Sequence, residues 1–412
     1  MEPTTLFYLI VLIVAGRFLF DRYLKHLNST RFNAPLPDEL SKVYDEEQYL
    51  RSQHYKARLY RFGRWSGGLF FLLTMLVLFL DGFAWVDQLA RKLVTGELAV
   101  GLVYFGILAL ASELVSLPFS YYRTFVIEEE FGFNTTTRKT FWSDKLKSLL
   151  LMTVIGGGLM AGIIFIYQRT GTDFWWYAWG VLTLFALLMN LSYSRLIVPL
   201  FNKQTPLPEG TLRQQIADFA KEVGFDLKQI FVIDGSKRST RANAYFSGFG
   251  REKRITLYDT LIKDLDEEEI VAVLAHEVGH YKKKHLIYNL LLSVTTTGFT
   301  LWLLSQLLGS QTLSAALGAG QASFHIGLTA FALLYTPVSE LTGLLANALS
   351  RKFEYQADAY ARAHYEAKHL VNALIKLSRK NLSNLTPHPA FVRVHYSHPT
   401  LLQRLRALTG TA

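Results

Sequence analysis

Seven long apolar runs constrain the fold of this chain more than any other feature of its sequence. A helix needs about 17–25 mostly apolar residues to cross the hydrocarbon core of a bilayer, and each run is close to or within that range. The predicted spans are residues 4–20, 67–86, 98–119, 149–167, 174–198, 286–308 and 324–345. Only 18% of the 412 residues are charged, against about a quarter in soluble domains. The sequence therefore predicts an α-helical multi-pass membrane protein with seven transmembrane helices.

The first run is the shortest, and it carries Arg17. No basic segment precedes it and no convincing small-residue cleavage site follows it, so it does not match a cleavable signal peptide. Arg17 and Arg22 can extend their charged ends to the membrane interface. We therefore expect residues 4–20 to be a span.

Lys and Arg residues predict the orientation of the chain. Residues 21–66 contain nine Lys and Arg residues, and residues 120–148 contain five. The second loop contains only Arg91 and Lys92, the fourth only Arg169, and the sixth no Lys or Arg. Loops rich in Lys and Arg stay in the cytosol, so we expect the N-terminus outside and the C-terminus in the cytosol. The net charge of +10 is then explained by these loops rather than by nucleic-acid binding. Residues 199–285 and the tail 346–412 are then both expected in the cytosol. The first five spans lie within residues 1–198, and the last two lie within residues 286–345.

Several predicted spans contain polar groups that lipid would exclude, namely Glu113, Asn190, Arg195 and Glu340. They can lie near helix ends or pair between helices, or they can line a water-filled cavity inside the bundle. The sequence leaves both interpretations open.

The segment HEVGH predicts a metal site on a helix. His276 and His280 are four residues apart and project from one helix face, while Glu277 lies close enough to act on a water molecule without binding the metal. The chain has no cysteine, so the ligands must be imidazole and carboxylate, which suit one Zn²⁺ ion without excluding other first-row metals. No Gly or Pro separates His280 from the sixth span, which predicts that this helix continues into the membrane.

A catalytic zinc needs a third protein ligand and one open position. Glu354 and Asp358, also four residues apart, are the candidates, with Glu354 on the metal and Asp358 orienting a ligand histidine. The alternative is a surface acidic pair that balances Arg351 and Lys352. The topology favours the ligand, because the sixth and seventh spans lead the chain out and back to the cytosolic face that holds HEVGH.

The chain resembles the type I CAAX prenyl protease family of integral-membrane zinc metalloendopeptidases. The similarity rests on HEVGH, EYQAD at residues 354–358 and HYSHPTLLQR at residues 395–404, and extends to EEEFGFN, PLFNKQTPL and ANAYFSGFG at residues 128–134, 199–207 and 242–250. It implies seven helices around a large chamber, with a cytosolic α+β zincin-like domain. It also implies zinc on His276, His280 and Glu354, and Glu277 as base. Asn243 and His398 would hold the substrate or stabilise the oxyanion, and Arg404 would support the site.

Three short strands are predicted near the metal helix, at residues 229–233, 242–249 and 254–258, the last two forming a hairpin. An exposed strand edge there could bind an extended peptide by strand addition. Asn243 would begin that strand, although it could instead cap a turn. His398 could donate to the oxyanion or could cap the helix that follows Pro399. No role is predicted for His285, His388 or His395.

These features predict metal-assisted hydrolysis of a peptide bond, in which Glu277 takes a proton from water and passes it to the leaving amine. The substrate is expected to be a peptide or protein, with prenylation suggested by the resemblance. Two alternatives are a membrane quality-control protease without a prenyl requirement and a non-enzymatic channel or transporter. A bacterial inner membrane is favoured over the endoplasmic reticulum because no terminal retrieval signal is present.

Overall fold

The protein is described by a computed structural model that covers residues 2–41, 43–225, 227, 229–247 and 254–410. Most of the described chain is helical. The α-helices are α1 (Pro3–Ser29), α2 (Glu46–Phe79), α3 (Gly82–Leu93), α4 (Glu97–Tyr122), α5 (Arg138–Leu151), α6 (Gly157–Thr170), α7 (Phe174–Leu196), α8 (Val198–Phe201), α9 (Thr211–Glu222), α10 (Asp259–Asp264), α11 (Glu267–Lys282), α12 (His285–Leu307), α13 (Gln311–Ala316), α14 (Phe324–Leu334), α15 (Thr336–His364), α16 (Ala367–Lys380), α17 (Pro389–His395) and α18 (Leu401–Thr409).

Shorter elements connect these helices. Turns of 3₁₀-helix lie at Asp38–Leu40, Gly171–Asp173 and Gly235–Lys237, and π-helical segments at Arg123–Glu128 and Met152–Gly156. The strands are β1 (Gln204–Pro206), β2 (Gln229–Ile233), β3 (Ala244–Ser247) and β4 (Arg254–Tyr258).

Five helical segments of the described chain are long and apolar enough to cross a membrane, at Pro3–Ser29, Glu46–Phe79, Glu97–Glu128, Arg138–Phe201 and His285–Leu307. A sixth candidate is the pair α14 and α15, which meet at a bend of 55°. Pro337 lies in the first turn of α15, where its ring prevents a straight continuation of α14. The structure thus confirms a multi-pass helical membrane protein, but it does not confirm the predicted count of seven.

The difference in the count comes from the 64-residue segment Arg138–Phe201. We predicted two spans there, and the structure has α6 and α7 on either side of Gly171, whose φ of +57° is a backbone conformation that favours glycine. The two helices pack against each other. At about 1.5 Å per residue, 64 residues of straight helix would extend about 96 Å, roughly three times the hydrocarbon thickness.

Few residues of the membrane-capable helices are buried inside the protein. In the most apolar stretch of each of the five single segments, only 6–17% of the residues are buried inside the protein. Two of the polar groups predicted within spans form ion pairs between helices: Glu113 lies 2.8 Å from Lys145, and Glu340 lies 2.9 Å from Arg17. All four side chains are at least 30% exposed. The low burial means that most side chains in these stretches face away from the rest of the protein.

The prediction that the HEVGH helix continues into the membrane is wrong. Helix α11 ends at Lys282, and Lys284 adopts the left-handed conformation with φ of +60° before α12 begins at His285. The ammonium group of Lys282 donates to the carbonyls of Val223 and Gly224, at 2.6 and 3.1 Å. This anchor holds the end of α11 on the turn that follows α9, and the break turns His285 back toward α11.

A small mixed sheet accompanies the metal helix, with strand order β1-β2-β4-β3. Strand β2 is parallel to β4, and β3 and β4 form an antiparallel hairpin in which Tyr245 lies opposite Thr256. The predicted hairpin is confirmed. The predicted strand 242–249 extends beyond the described residues, because residues 248–253 lie outside them. Strand β3 lies at the end of the sheet, and α7 approaches it.

Candidate metal centre

Helix α11 carries two histidines on one face. His276 Nε2 lies 3.2 Å from His280 Nε2. The helix starts at a capping box in which the Asp266 amide donates to Glu269 Oε2 at 3.0 Å, and acidic residues in its first turn favour the positive end of its dipole. Most of the α11 side chains around His276 are buried in a hydrophobic cluster with α9, α10, β4 and α16, which fixes the orientation of the helix.

Helix α15 brings a carboxylate to these histidines. Glu354 Oε2 lies 3.5 Å from His276 Nε2, and Glu354 Oε1 lies 3.3 Å from His280 Nε2. Glu354 Oε2 is buried and accepts no hydrogen bond from the described residues. Gly279 allows the two helices to approach, since a Cβ there would lie 3.0 Å from Ala357 Cα.

The spacing of these three ligand atoms fits one metal ion. Zinc binds His nitrogen and carboxylate oxygen at about 2.0–2.2 Å in tetrahedral geometry, which places ligand atoms about 3.3–3.6 Å apart. The observed separations are 3.2, 3.3 and 3.5 Å. Among the described residues, His276, His280 and Glu354 are the His, Asp or Glu group whose ligand atoms all lie within 4.8 Å of one another.

Asp358 and Arg404 support His276 from its other side. His276 Nδ1 lies 2.8 Å from Asp358 Oδ1, so the ring donates from Nδ1 and keeps Nε2 for a metal. Arg404 donates to both oxygens of Asp358, at 2.9 and 2.6 Å. Burial alone lowers the pKa of Arg404, but these bonds and the nearby carboxylates of Glu354 and Glu277 raise the pKa overall.

The same neighbours set the charge of His276 in the absence of metal. Burial of the ring opposes protonation, but hydrogen bonds with Asp358 and Glu354 outweigh burial and the repulsion by Arg404, and they raise the pKa of His276 to about 9. A proton and a metal ion therefore compete for the same imidazole at neutral pH.

His280 is supported by a residue for which the sequence predicted no role. His280 Nδ1 lies 2.9 Å from His285 Nδ1, and His285 Nε2 lies 2.8 Å from Gln356 Oε1. His285 is only 2% exposed, and its ring stacks on Phe353 with a centroid separation of 4.1 Å. The available signal was a third histidine five residues after HEVGH. Its meaning depends on the break at Lys284, which the sequence did not reveal.

Glu277 and His398 lie beside the three candidate ligands. Glu277 is half-buried next to His276 on α11. His398 lies in the segment between α17 and α18, and its Nε2 is 3.3 Å from Glu354 Oε1 although 62% of its side chain is exposed. This segment is attached to α15 because Asn347 donates to the carbonyl of Val394 at 2.8 Å, and Arg351 to that of Tyr396 at 2.5 Å.

Asn243 lies at the start of the edge strand and is exposed. Its backbone carbonyl accepts from the amide of Tyr258 at 3.1 Å, which joins it to β4 as predicted. The preceding segment is anchored by Arg241, which donates to Glu128 Oε2 at 2.9 Å. Tyr55 donates to the same carboxylate at 3.0 Å. The EEEFGFN segment therefore holds the chain that leads into β3.

The other two unassigned histidines lie outside the metal centre. The ring of His388 accepts from the amide of Ala390 at 3.2 Å and caps α17. His395 Nε2 lies 3.8 Å from Asp21 Oδ1, which links α17 to α1.

A membrane-spanning chain with two histidines of an HExxH helix and a carboxylate from a second helix defines a membrane-embedded metalloendopeptidase. The comparisons with known families identify the family. Residues 25–203 match the family described as "CAAX prenyl protease N-terminal, five membrane helices". Residues 206–412 match the family described as "Peptidase family M48". The chain belongs to peptidase family M48.

Similar proteins match along nearly the whole chain. It is 38% identical to "CAAX prenyl protease 1 homolog" of Oryza sativa subsp. japonica, with 95% of this chain and 94% of that protein covered. It is 36% identical to "CAAX prenyl protease 1" of Saccharomyces cerevisiae, with coverages of 96% and 94%. The crystal structure of S. mikatae Ste24p superposes with a TM-score of 0.94 at 35% identity, covering 98% of this chain and 99% of the other.

Proposed function

We propose that this chain is a zinc endopeptidase that cleaves near the C-terminus of prenylated, CAAX-type proteins. The observation that carries the proposal is the triangle of His276 Nε2, His280 Nε2 and Glu354, whose sides of 3.2–3.5 Å fit a single zinc ion. The names of the similar proteins support the substrate class.

The three ligands would hold the ion, and each residue nearby has a distinct task. Bound zinc supplies a Lewis acid that polarises the scissile carbonyl and acidifies water. Glu277 takes the proton from the attacking water and passes it to the leaving amine, so one carboxylate serves as base and then as acid. Asp358, fixed by Arg404, keeps the Nδ1 proton on His276.

A neutral chain of hydrogen bonds performs the same task for His280. Because Gln356 Oε1 only accepts, His285 carries its proton on Nε2 and leaves Nδ1 as an acceptor. His280 must then donate from Nδ1, which leaves its Nε2 lone pair directed at Glu354 and His276. His285 is thus a positioning residue for the second ligand.

Substrate binding uses the edge strand and the segment after α17. An extended peptide adds to β3 by main-chain hydrogen bonds, with Asn243 at the start of that edge. His398 donates to the oxyanion that develops on the scissile carbonyl, and its proximity to Glu354 supports this role.

We infer an orientation with the N-terminus outside and the metal centre and C-terminus in the cytosol, as the Lys and Arg distribution favours. The similar proteins named above come from a plant and a yeast, and others come from mouse, human and Dictyostelium discoideum. These eukaryotic sources give no support to the bacterial inner membrane favoured by the sequence, and the source membrane stays a prediction.

Two fluorogenic peptides with the same CAAX sequence, one farnesylated and one not, test the proposed substrate class. We expect the purified full chain to cleave the farnesylated peptide with the higher kcat/KM. A chelator that removes the zinc should abolish this activity. Equal cleavage of both peptides would instead favour a quality-control protease without a prenyl requirement. A metal-loaded protein that cleaves neither peptide would contradict the proposal.

A further inference from the structure

A groove between α1 and α2 combines an apolar floor with three arginines. It has a volume of about 680 Å³ and is lined by Phe18, Arg22, Arg61, Arg64, Trp65, Gly68, Leu69 and Leu72. That volume lies within the range of about 300–1,000 Å³ typical of ligand sites. The groove lies outside the metal centre, and the proposed proteolysis assigns it no role.

The arginines lie where each helix leaves its apolar run. Arg22 follows the predicted span 4–20, and Arg61 and Arg64 precede the span 67–86. Beyond the arginines, the exposed face of α2 is apolar: Trp65 is 82% exposed, Leu72 58% and Leu76 53%. With Leu69, which is 41% exposed, these residues recur every three to four positions on one helix face, the pattern of a lipid-facing surface. The groove therefore crosses from the headgroup level into the hydrocarbon.

Arg22 is held in place at this boundary. Its Nη2 donates to the carbonyl of Arg64 at 2.5 Å, and its guanidinium lies 4.8 Å from the ring centroid of Phe18. A Cβ at Gly67 would lie only 3.2 Å from the same Nη2, so the glycine makes room for the guanidinium. Arginine has five N–H donors. Within the described residues, the guanidinium group of Arg22 uses one of them, in this bond to Arg64.

The charge of the groove is uncompensated. Nearby basic residues are paired, since Lys25 lies 2.7 Å from Asp21 and Arg58 lies 3.2 Å from Glu130. Within the described parts of the chain, none of Arg22, Arg61 and Arg64 forms an ion pair with a carboxylate. Three unpaired guanidinium groups above an apolar floor match a ligand with an anionic phosphate head and acyl chains.

We propose that this groove is a binding site for an anionic phospholipid, with its phosphate on Arg22, Arg61 and Arg64 and an acyl chain along Phe18, Leu69 and Leu72. Basic pockets between membrane helices on the cytosolic side are suited to anionic headgroups. The site is independent of the metal centre, and its occupancy does not require catalysis.

Native mass spectrometry of the full chain in neutral detergent tests the proposal, with phosphatidylserine and phosphatidylcholine of identical acyl chains as probes. We expect one phosphatidylserine to be retained with at least tenfold preference. Each Arg→Gln substitution should lower the affinity for phosphatidylserine roughly fivefold, since one basic residue near an anionic lipid contributes about 1 kcal/mol. Added salt should weaken the preference.

Matched variants distinguish the site from general surface charge. Arg169→Gln removes an equal charge from a distant helix end and should leave the preference unchanged. Leu72→Trp adds volume to the floor and should reduce lipid retention without changing charge, whereas glycerol 3-phosphate should bind at least tenfold more weakly than the lipid. Arg61 is exposed, so Arg61→Gln keeps the fold and remains informative if the other variants do not fold. Equal retention of both lipids, an unchanged preference in Arg61→Gln, or equally tight binding of glycerol 3-phosphate would overturn the proposal.

Discussion

Nδ1 of His280 lies 2.9 Å from Nδ1 of His285, so one histidine of the metal centre is oriented by another histidine. The equivalent partner of His276 is the carboxylate of Asp358, at 2.8 Å. The two metal-facing rings thus have different support, one charged and one neutral.

Substitution of His285 should weaken metal binding without removing a ligand. We expect His285→Phe to keep the ring stacked on Phe353 but to leave the Nδ1 proton of His280 without its acceptor. The zinc affinity should fall about 10–100-fold, the usual scale for loss of a residue that orients a ligand. Competition with a chelator measures this change. His388→Ala, outside the centre, is the control, and an unchanged affinity in His285→Phe would mean that the hydrogen bond does not orient His280.

Glu277→Gln should separate metal binding from chemistry. The amide keeps the size of the side chain but cannot accept the proton of water. We expect zinc to be retained at wild-type stoichiometry while turnover falls by roughly 10²–10⁴-fold, as checked by elemental analysis and peptide cleavage. Near-normal turnover would assign the base to another residue.

The zinc affinity should rise with pH well above neutrality. The pKa of His276 is raised from 6.5 to about 9 in the metal-free protein, so the ring is protonated at pH 7 and must lose its proton to bind zinc. The affinity should therefore increase about tenfold per pH unit from pH 7 until the proton is lost near pH 9. Chelator competition at several pH values measures the slope. Asp358→Asn removes the main group that favours protonation, so its affinity should level off at lower pH. A flat wild-type profile above pH 7 contradicts this prediction.

Gly279→Ala should separate the two helices that carry the ligands. The added Cβ would lie 3.0 Å from both Ala357 Cα and Tyr360 Cβ, closer than packed side chains tolerate. We expect a loss of about 1–3 kcal/mol in the free energy of unfolding, with weaker zinc binding, measured by thermal unfolding and chelator competition. Gly343→Ala on α15 has no atom within 4 Å of its Cβ, and it should stabilise the helix slightly. Equal stability of the two variants would contradict this close approach.

Glu128→Gln should impair substrate binding rather than metal binding. The substitution weakens the ion pair that holds Arg241, two residues before Asn243. We expect a loss of about tenfold or more in kcat/KM, because small displacements of a binding edge can cost up to about 10²-fold, with the zinc content unchanged. Glu130→Gln is the control, since Glu130 is half exposed and pairs with Arg58. Equal activity of the two variants would remove Glu128 from this role.

The sequence predicted the parts of the site that depend on helical periodicity. His276 and His280, and likewise Glu354 and Asp358, share faces because α-helix geometry places residues four apart on one side. The span count was harder to predict. Hydropathy locates apolar residues, but the bend before Pro337 and the packing of α6 against α7 across the turn at Gly171 depend on tertiary structure. His285 could not be assigned because its direction depends on the left-handed backbone at Lys284.

Membrane topology and synthesis are coupled in the metal centre. The first two proposed ligands lie on α11, whereas the third follows α12, α13 and α14, and Arg404 follows later still. A ribosome making this chain must therefore deliver the helices between residues 285 and 335 to the membrane before the ligand set can close. Until then the nascent chain carries the HExxH helix without Glu354, so a complete metal centre forms only after the helices between α11 and α15 have been made.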